Sequence, residues 1–173
     1  MAFKDGHSPS LGSKLTLSLL SLAGVIYAMR YLEFGLEAGT LHTWLLIACV
    51  LLFYIRLIIS LFAFIRRKVS WFEGITVGTL YGIMLAGFTV WGKEVSPTKD
   101  SWDIAGFLLF CFGSYINSLS DYQRHIWKKR PENSGRLYTE GLFRYSMHIN
   151  YFGDSLMLVG FAIVTQNPLS FIP

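Results

Sequence analysis

Five long runs of apolar residues constrain the fold of this chain more than any other feature. The runs cover Leu15–Tyr31, Thr43–Ile65, Trp71–Trp91, Ile104–Leu119 and Tyr145–Thr165. The hydrocarbon core of a bilayer is about 30 Å thick, so a helix of roughly 20 apolar residues can cross it. Because the runs are continuously apolar, they favour helices over the alternating strands of a β-barrel. The sequence predicts an all-α integral membrane helical bundle with about five transmembrane helices.

The composition agrees with burial in a membrane. Hydrophobic residues make up 53% of the 173 residues and charged residues 15%, whereas a soluble domain usually carries about 25% charged residues. We therefore expect a single membrane domain over residues 1–173, with no nucleic-acid partner. The four histidines are scattered and the two cysteines lie inside apolar runs, which predicts neither a metal site nor a disulfide framework.

Basic residues fall on one side of the predicted bundle. They precede the first run, form Arg66-Arg67-Lys68 between the second and third runs, and number six in Ser120–Arg144, against three acidic residues. The alternate loops, Leu32–His42 and Gly92–Asp103, are neutral or acidic. By the positive-inside rule, the N-terminus and the basic loops of this multi-pass protein face the cytoplasm. We expect the membrane to be that of the endoplasmic reticulum if the source is eukaryotic.

A stripe of small residues runs along the third apolar segment. Gly74, Gly78, Gly82 and Ala86 recur at four-residue spacing, which lets two membrane helices approach closely. The stripe indicates either internal packing of the bundle or association with a partner helix, and both interpretations stay open.

A polar stripe continues the fourth run. Ser114, Asn117, Asp121, Arg124 and Lys128 are three or four residues apart, so they share one face of a helix. Such a face can bind a phosphorylated cofactor, with Arg and Lys on the phosphates and Asn or Asp on ribose or amide groups. The alternative is a solvated helix end whose cations contact anionic lipid.

Other polar groups lie in or beside the apolar runs. Asn150 and Asp154 are one helical turn apart in the fifth run, where they need partners or a function. The alternative is that Asp154 only caps the span at the interface. Arg56 and Glu73 are expected to form a structural pair inside the bundle.

Three motifs around this region carry a resemblance to a known family. They are Asn117-x-x-x-Asp121, Gly141-Leu142-Phe143 and Asn150-Tyr151-Phe152-Gly153-Asp154, with a basic loop between the first two. In this order they resemble the C-terminal domain of the steroid 5-alpha-reductase family and its membrane relatives, over residues 113–168. The resemblance implies a multi-span helical enzyme that uses NADPH to reduce a carbon–carbon double bond conjugated to a carbonyl in a sterol or other lipid.

The resemblance also implies a role for each matching residue. Asp154 falls where the family places a Glu that polarises the substrate carbonyl, so it is the candidate catalytic acid. Hydride addition develops negative charge on that oxygen, which therefore needs a donor. Contacts with NADPH are implied for five residues, the last two near the phosphates: Asn117, Asp121, Asn150, Arg124 and Lys128.

Two departures from the family leave two alternatives. The family continues with further helices that carry an Arg and a His for the cofactor, whereas this chain ends at Ser170-Phe171-Ile172-Pro173. A fragment, or a truncated and non-catalytic membrane paralogue, is therefore one alternative. The other is an S-adenosylmethionine-dependent membrane methyltransferase of the wider superfamily. Many isoprenylcysteine and phospholipid methyltransferases carry Arg-His-Pro where this chain has Met147-His148-Ile149, and the absence of that Arg argues against such a cofactor.

Overall fold

The computed structural model describes residues 10–33, 40–65, 67–94 and 100–171, and their long elements are all helices. The helices are α1 (Leu11–Glu33), α2 (Leu41–Ile59), α3 (Trp71–Lys93), α4 (Asp100–Lys128) and α5 (Ile149–Thr165). A π-helical turn, Ser60–Phe64, extends α2, and short 3-10 turns occupy Pro131–Asn133, Gly141–Arg144 and Pro168–Phe171. The first nine residues, Arg66, most of the loops after α1 and α3, and the final Ile172-Pro173 lie outside the described residues.

The helix lengths confirm the predicted membrane bundle. Helices α1, α2 with its π-turn, α3 and α4 are long and apolar enough to cross a bilayer, whereas α5 is a shorter apolar helix of 17 residues. At 1.5 Å per residue α5 measures about 26 Å, slightly less than the hydrocarbon core. The chain is therefore a multi-pass integral membrane protein by helix length and hydropathy.

Several helix boundaries differ from the apolar runs, and α1 and α4 each begin four residues earlier than expected, at Leu11 and Asp100. Helix α4 continues to Lys128, because the polar stripe after Leu119 is helical as well. The predicted start of the fifth span at Tyr145 is wrong, since α5 begins at Ile149. The preceding Gly141–Arg144 turn is 3-10 helical, and the Ser146 hydroxyl accepts a hydrogen bond from the backbone N–H of His148, which holds this segment outside the helix.

Glycines join α1 to α3. Gly74, Gly78 and Gly82 are buried on α3, where a Cβ on Gly74 would lie 2.6 Å from the carbonyl oxygen of Ser13 and one on Gly82 2.8 Å from that of Leu20. The stripe thus packs against α1 of the same chain, as the internal-packing interpretation expects. A partner helix at this stripe remains a prediction, and such a partner would have to displace α1.

A second glycine seam joins α4 to α5. A Cβ on Gly113 would lie 2.6 Å from the carbonyl oxygen of Gly153, and one on Gly160 would lie 2.7 Å from that of Gly106. Without side chains at these positions, the two backbones approach closely enough to bring the polar stripe of α4 against the beginning of α5.

Aromatic packing and α2 connect the two helix pairs. Phe161 of α5 makes edge contacts with Phe88 of α3 and Phe110 of α4, at ring-centroid distances of 4.9 and 6.0 Å. Leu46 and Phe53 of α2 are buried in the same core. The bundle has a basic end, where α1, α3 and α5 begin and α2 and α4 end, and an opposite end.

A buried histidine–aspartate pair closes the opposite end. Nδ1 of His42 lies 2.8 Å from Oδ1 of Asp103, and Nε2 lies 3.0 Å from the carbonyl oxygen of Gly92. The side chain of Gln166 donates to the same Oδ1 at 2.8 Å. These contacts tie the beginnings of α2 and α4 to the ends of α3 and α5.

Candidate functional site

The structure places the predicted polar stripe on α4 with a gradient of burial. Asn117 is buried, Asp121 and Arg124 are half-buried, and Lys128 is exposed. The stripe therefore runs from the interior of the bundle to the surface at the basic end. A change from amide to carboxylate to cation along this path suits a ligand that has both polar and anionic parts.

Asn117 and Asn150 are brought together at the α4–α5 seam. Nδ2 of Asn117 donates to the carbonyl oxygen of Asn150 at 2.8 Å, and Oδ1 of Asn117 has no hydrogen-bond partner among the described residues. Gly153 permits this approach, since a Cβ there would lie 2.7 Å from the backbone nitrogen of Asn117. The contact is thus made by the amide of one predicted cofactor residue and the backbone of the other.

Asp121 and Arg124 form an ion pair on one turn of α4, with 2.8 Å between Oδ1 and Nη2. The Arg124 guanidinium also lies over the Phe143 ring, 5.3 Å from its centroid. This cation–π contact links the polar stripe to the predicted Gly141-Leu142-Phe143 motif. The side chain of Gln123 accepts a hydrogen bond from the backbone N–H of Leu142, which fixes the motif beneath the end of α4.

An aromatic cluster anchors the loop that carries this motif. Trp127, Tyr138 and Phe143 are buried together, with ring centroids 5.3 Å apart in the Trp127–Tyr138 and Tyr138–Phe143 pairs. Burial raises the pKa of Tyr138, and the nearby Glu140 carboxylate adds to that shift. The cluster holds the loop against α4 and so positions the first turn of α5.

Asp154 pairs with an arginine of α2. Its Oδ1 lies 2.5 Å from Nη2 of Arg56, whose Nη1 lies 3.4 Å from the sulfur of Met157. The Arg56 and Asp154 side chains are 15% and 38% exposed. Asp154 lies in the second turn of α5, so it does not cap that helix.

The predicted pairing of Arg56 with Glu73 is wrong. Glu73 instead pairs with Arg67, with 2.8 Å between Oε2 and Nη1, because it lies in the first turn of α3 beside the loop that carries Arg67. The hydrogen bond to Glu73 raises the pKa of Arg67 above its ordinary value. Arg56 lies deeper, where α5 is its neighbour.

Four ionic groups from three helices form a charge cluster, defined here as Arg56, Asp121, Arg124 and Asp154. Asp121 interacts electrostatically with the other three members, and Tyr81 of α3 interacts with Arg56 and Asp154. The cluster holds two positive and two negative charges. Charges in a bundle of apolar helices are costly unless charges of opposite sign compensate them. In this cluster each arginine is paired with an aspartate.

An open groove of about 390 Å³ lies between α2 and α4, beside the charge cluster. Its wall is mostly apolar and includes Leu52, Ile55 and Phe110. Arg56 belongs both to the groove lining and to the charge cluster. The apolar groove therefore borders the charged groups at this side chain. The polar residues of the groove lining include Arg56 and three serines: Ser60, Ser114 and Ser118.

Sequence reasoning selected the candidate site residues of α4 and α5, gave Arg56 of α2 only a structural role, and missed Tyr81 of α3. Arg56 stands as the single charge inside the second apolar run, and that isolation was a usable signal. Tyr81 gives no comparable signal, because a tyrosine in a membrane helix is ordinary. Within the described residues, no group of three or more His, Cys, Asp and Glu side chains could hold a metal ion.

Comparison with known proteins places the chain in a family. Residues 68–172, which include α3, α4 and α5, match the family described as "Protein of unknown function (DUF1295)". The chain belongs to the DUF1295 family. This DUF1295 protein carries most of its charge cluster within the matched region, whereas Arg56 precedes it. No solved structure matches the chain.

The DUF1295 protein is also similar to an enzyme named "Probable O-methyltransferase ustE" from Ustilaginoidea virens. The two are 33% identical over 60 residues, which is 35% of this chain and 21% of that protein. The chain thus spans about a fifth of the length of the curated relative that it matches.

Proposed function

We infer that this DUF1295 protein is a membrane-embedded, NADPH-dependent reductase of a carbon–carbon double bond conjugated to a carbonyl in a sterol or other lipid. The observation that carries the proposal is the junction at Arg56, where the apolar groove meets the charge cluster. Binding sites commonly combine an apolar wall with a few convergent polar groups. Here the wall suits a lipid, and the polar stripe of α4 suits a cofactor.

The residues of the stripe fit the parts of NADPH, which supplies a hydride when bound. Lys128 is exposed and the Arg124 side chain is 40% exposed, so both can meet phosphate groups. Asp121 can accept hydrogen bonds from ribose hydroxyls. The unpartnered Oδ1 of Asn117, beside Asn150, is an acceptor suited to a carboxamide N–H. The positive-inside rule would direct this basic end towards the cytoplasm.

The proposed chemistry needs a donor to the carbonyl oxygen on which negative charge develops. Asp154 is the proposed catalytic residue, but an ion-paired carboxylate accepts hydrogen bonds and does not donate them. We therefore assign the donor function to the Arg56–Asp154 pair as a unit. Asp154 orients the guanidinium, whose N–H groups stabilise the carbonyl oxygen as hydrogen-bond donors. The guanidinium keeps its own protons, so the proton that completes the reduction would come from water at the partly exposed pair.

Cofactor binding tests the reductase proposal directly. The detergent-purified chain would be titrated in parallel with NADPH, NADH and S-adenosylmethionine. Saturable binding of NADPH alone supports the reductase, and Arg124→Gln should then weaken it. Arg136→Gln, at an exposed loop position, is the matched control and should leave binding unchanged. Binding of none of the three would favour a non-catalytic membrane protein.

The similarity to the probable O-methyltransferase favours a second candidate function, methyl transfer from S-adenosylmethionine. His148 would be part of such a site, and its ring stacks on Tyr151 at a centroid distance of 5.6 Å. S-adenosylmethionine carries no phosphate, so its binding should not depend on Arg124 or Lys128. Saturation by S-adenosylmethionine, with no binding of NADPH, would establish this candidate over the reductase.

A further inference from the structure

The lining of the groove between α2 and α4 is mostly apolar and contains a few polar side chains. Arg56 and three serines are among the polar residues, and Ile55, Ile59 and Phe110 are among the apolar ones. Such a surface matches a ligand with one polar group and a long apolar body. In a membrane protein that description applies to a lipid.

A π-helical turn shapes one wall of this groove. The backbone N–H of Ile65 donates to the carbonyl oxygen of Ser60 at 2.9 Å, a bond that spans five residues. The turn places Ser60 and Phe64 in the groove wall, and the Phe64 ring lies 5.6 Å from that of His125 on α4. Single π-helical turns within α-helices are frequent at functional sites.

The N–H donors of Arg56 that have no strong acceptor indicate which kind of atom the polar group of a bound ligand should carry. A guanidinium has five N–H donors and no acceptor. In Arg56, Nη2 donates to Asp154 and Nη1 to the Met157 sulfur, which is a weak acceptor, and each of these two nitrogens carries a second N–H. The Nε atom has no partner among the described residues but is enclosed by the protein, so a ligand in the groove would meet the terminal nitrogens. An unsatisfied donor away from water is costly. A ligand oxygen at Arg56 would therefore be a favourable partner.

The Arg56–Asp154 pair decides the charge of that ligand. Asp154 already balances Arg56, whereas Arg124 is 40% exposed near the exposed Lys128, where two cations are available to phosphates. A carboxylate ligand would add an uncompensated negative charge close to two aspartates, and an ammonium would add a positive charge beside Arg56. A neutral oxygen acceptor adds no charge. A carbonyl oxygen only accepts hydrogen bonds, whereas a hydroxyl also brings a donor for which the guanidinium has no acceptor, so Arg56 favours a carbonyl group.

We propose that the α2–α4 groove binds a lipid through a neutral carbonyl oxygen, which accepts hydrogen bonds from Arg56, while its apolar chain lies along the groove wall. The identification of that lipid as a substrate rests on the proposed reductase function. Occupancy of the groove does not, and it can be measured without any cofactor.

Cys111 provides the readout, because it lines the groove and is half-buried. The chain has two cysteines, so Cys49→Ala leaves Cys111 as the single thiol. That variant, in lipid nanodiscs, would be labelled with a membrane-permeant maleimide in the presence of a long-chain methyl ketone, the alkane of equal length or the fatty acid of equal length. The ketone should halve the labelling rate at about a ten-fold lower concentration than the other two, as a hydrogen bond to a charged group predicts.

Two further substitutions locate the binding groups. Arg56→Gln should remove the preference for the ketone. Because this change leaves Asp154 without its cation and can unfold the chain, Ser114→Leu is a second test that fills the groove without removing a charge. It should abolish protection by the ketone. Ser155→Leu, at an exposed serine of α5 outside the groove lining, is the matched control and should retain it.

Each contrary result overturns a defined part of the proposal. Equal protection by ketone and alkane would remove Arg56 from lipid binding, and stronger protection by the fatty acid would overturn the neutral head group. Cys111 labelling that no compound slows would overturn the groove as a site. A preference for the ketone in a chain that does not bind NADPH would support lipid binding in the groove and contradict the proposed reductase function.

Discussion

The two halves of the bundle each contain an acid–base pair, one fully buried and one partly exposed, and the pairs differ in their access to a ligand. His42 and Asp103 are 4% and 0% exposed, and their contacts reach α3 and α5 as well as α2 and α4. Arg56 and Asp154 are 15% and 38% exposed and border an open groove. The His42–Asp103 pair is enclosed by the protein, whereas the Arg56–Asp154 pair presents N–H donors to the groove.

This difference shows why a buried charge is not by itself a functional site. Asp103 and Arg56 each have one polar atom without a partner among the described residues. Both unpartnered atoms are enclosed by the protein. The side chains differ, since Asp103 is 0% exposed, whereas Arg56 is 15% exposed and lines a groove that a ligand can fill. Access, and not only the unsatisfied atom, separates a candidate binding group from a structural one.

Removal of the enclosed carboxylate should produce the largest loss of stability. Asp103→Ala leaves His42 and Gln166 without their shared partner, and breaking a buried pair costs about 3–5 kcal/mol. Asp154→Ala should cost less, because its partly exposed site admits lipid headgroups or water. Thermal unfolding of both variants in the same detergent checks the order. An equal or larger loss for Asp154→Ala would remove the distinction between the two pairs.

A single methyl group at the α4–α5 seam should have the next largest effect. In Gly153→Ala the new Cβ would lie 2.7 Å from the backbone nitrogen of Asn117, and such overpacking costs about 1–3 kcal/mol. The control is Gly87→Ala, whose Cβ would approach only the Trp91 ring, at 3.9 Å. That change should be neutral or stabilising, since alanine is the better helix former. Similar unfolding temperatures for both variants would contradict the close seam.

Loss of the Asp121 carboxylate tests the proposed ligand-binding role of the basic end. Asp121→Ala should weaken NADPH binding about ten-fold, or about 1.4 kcal/mol, if it accepts hydrogen bonds from the cofactor. Glu132→Ala, at an exposed acid of the loop after α4, is the control for a change in net charge. Titration of both variants measures the difference. Unchanged affinity in Asp121→Ala would remove this residue from the site.

The exposed Arg67–Glu73 ion pair should contribute least to the stability of the protein. Arg67 and Glu73 are 63% and 30% exposed, and exposed pairs contribute about 0.2–1 kcal/mol. Arg67→Gln should therefore lower stability only slightly, and the difference should shrink in concentrated salt because ions screen the pair. A loss above that range, unaffected by salt, would show that the pair behaves like a buried one.

Local patterns in the sequence predicted the parts of the site that lie on one helix. The spacing from Asn117 to Lys128 places these side chains on one face of α4, and the spacing of Asn150 and Asp154 does the same on α5. Both predictions depend only on helical periodicity. The beginning of α5 was misplaced, because hydropathy does not register the hydrogen bond between Ser146 and His148.

The sequence by itself determined that this chain is a helical membrane bundle, since apolar length and the lack of water in a bilayer leave few other folds. Only the tertiary structure decided the partners. Arg56 and Asp154 are 98 residues apart, and Gly74, Gly78 and Gly82 face α1 of the same chain. Such contacts depend on how helices pack and rotate against one another, which periodicity within a single helix does not encode.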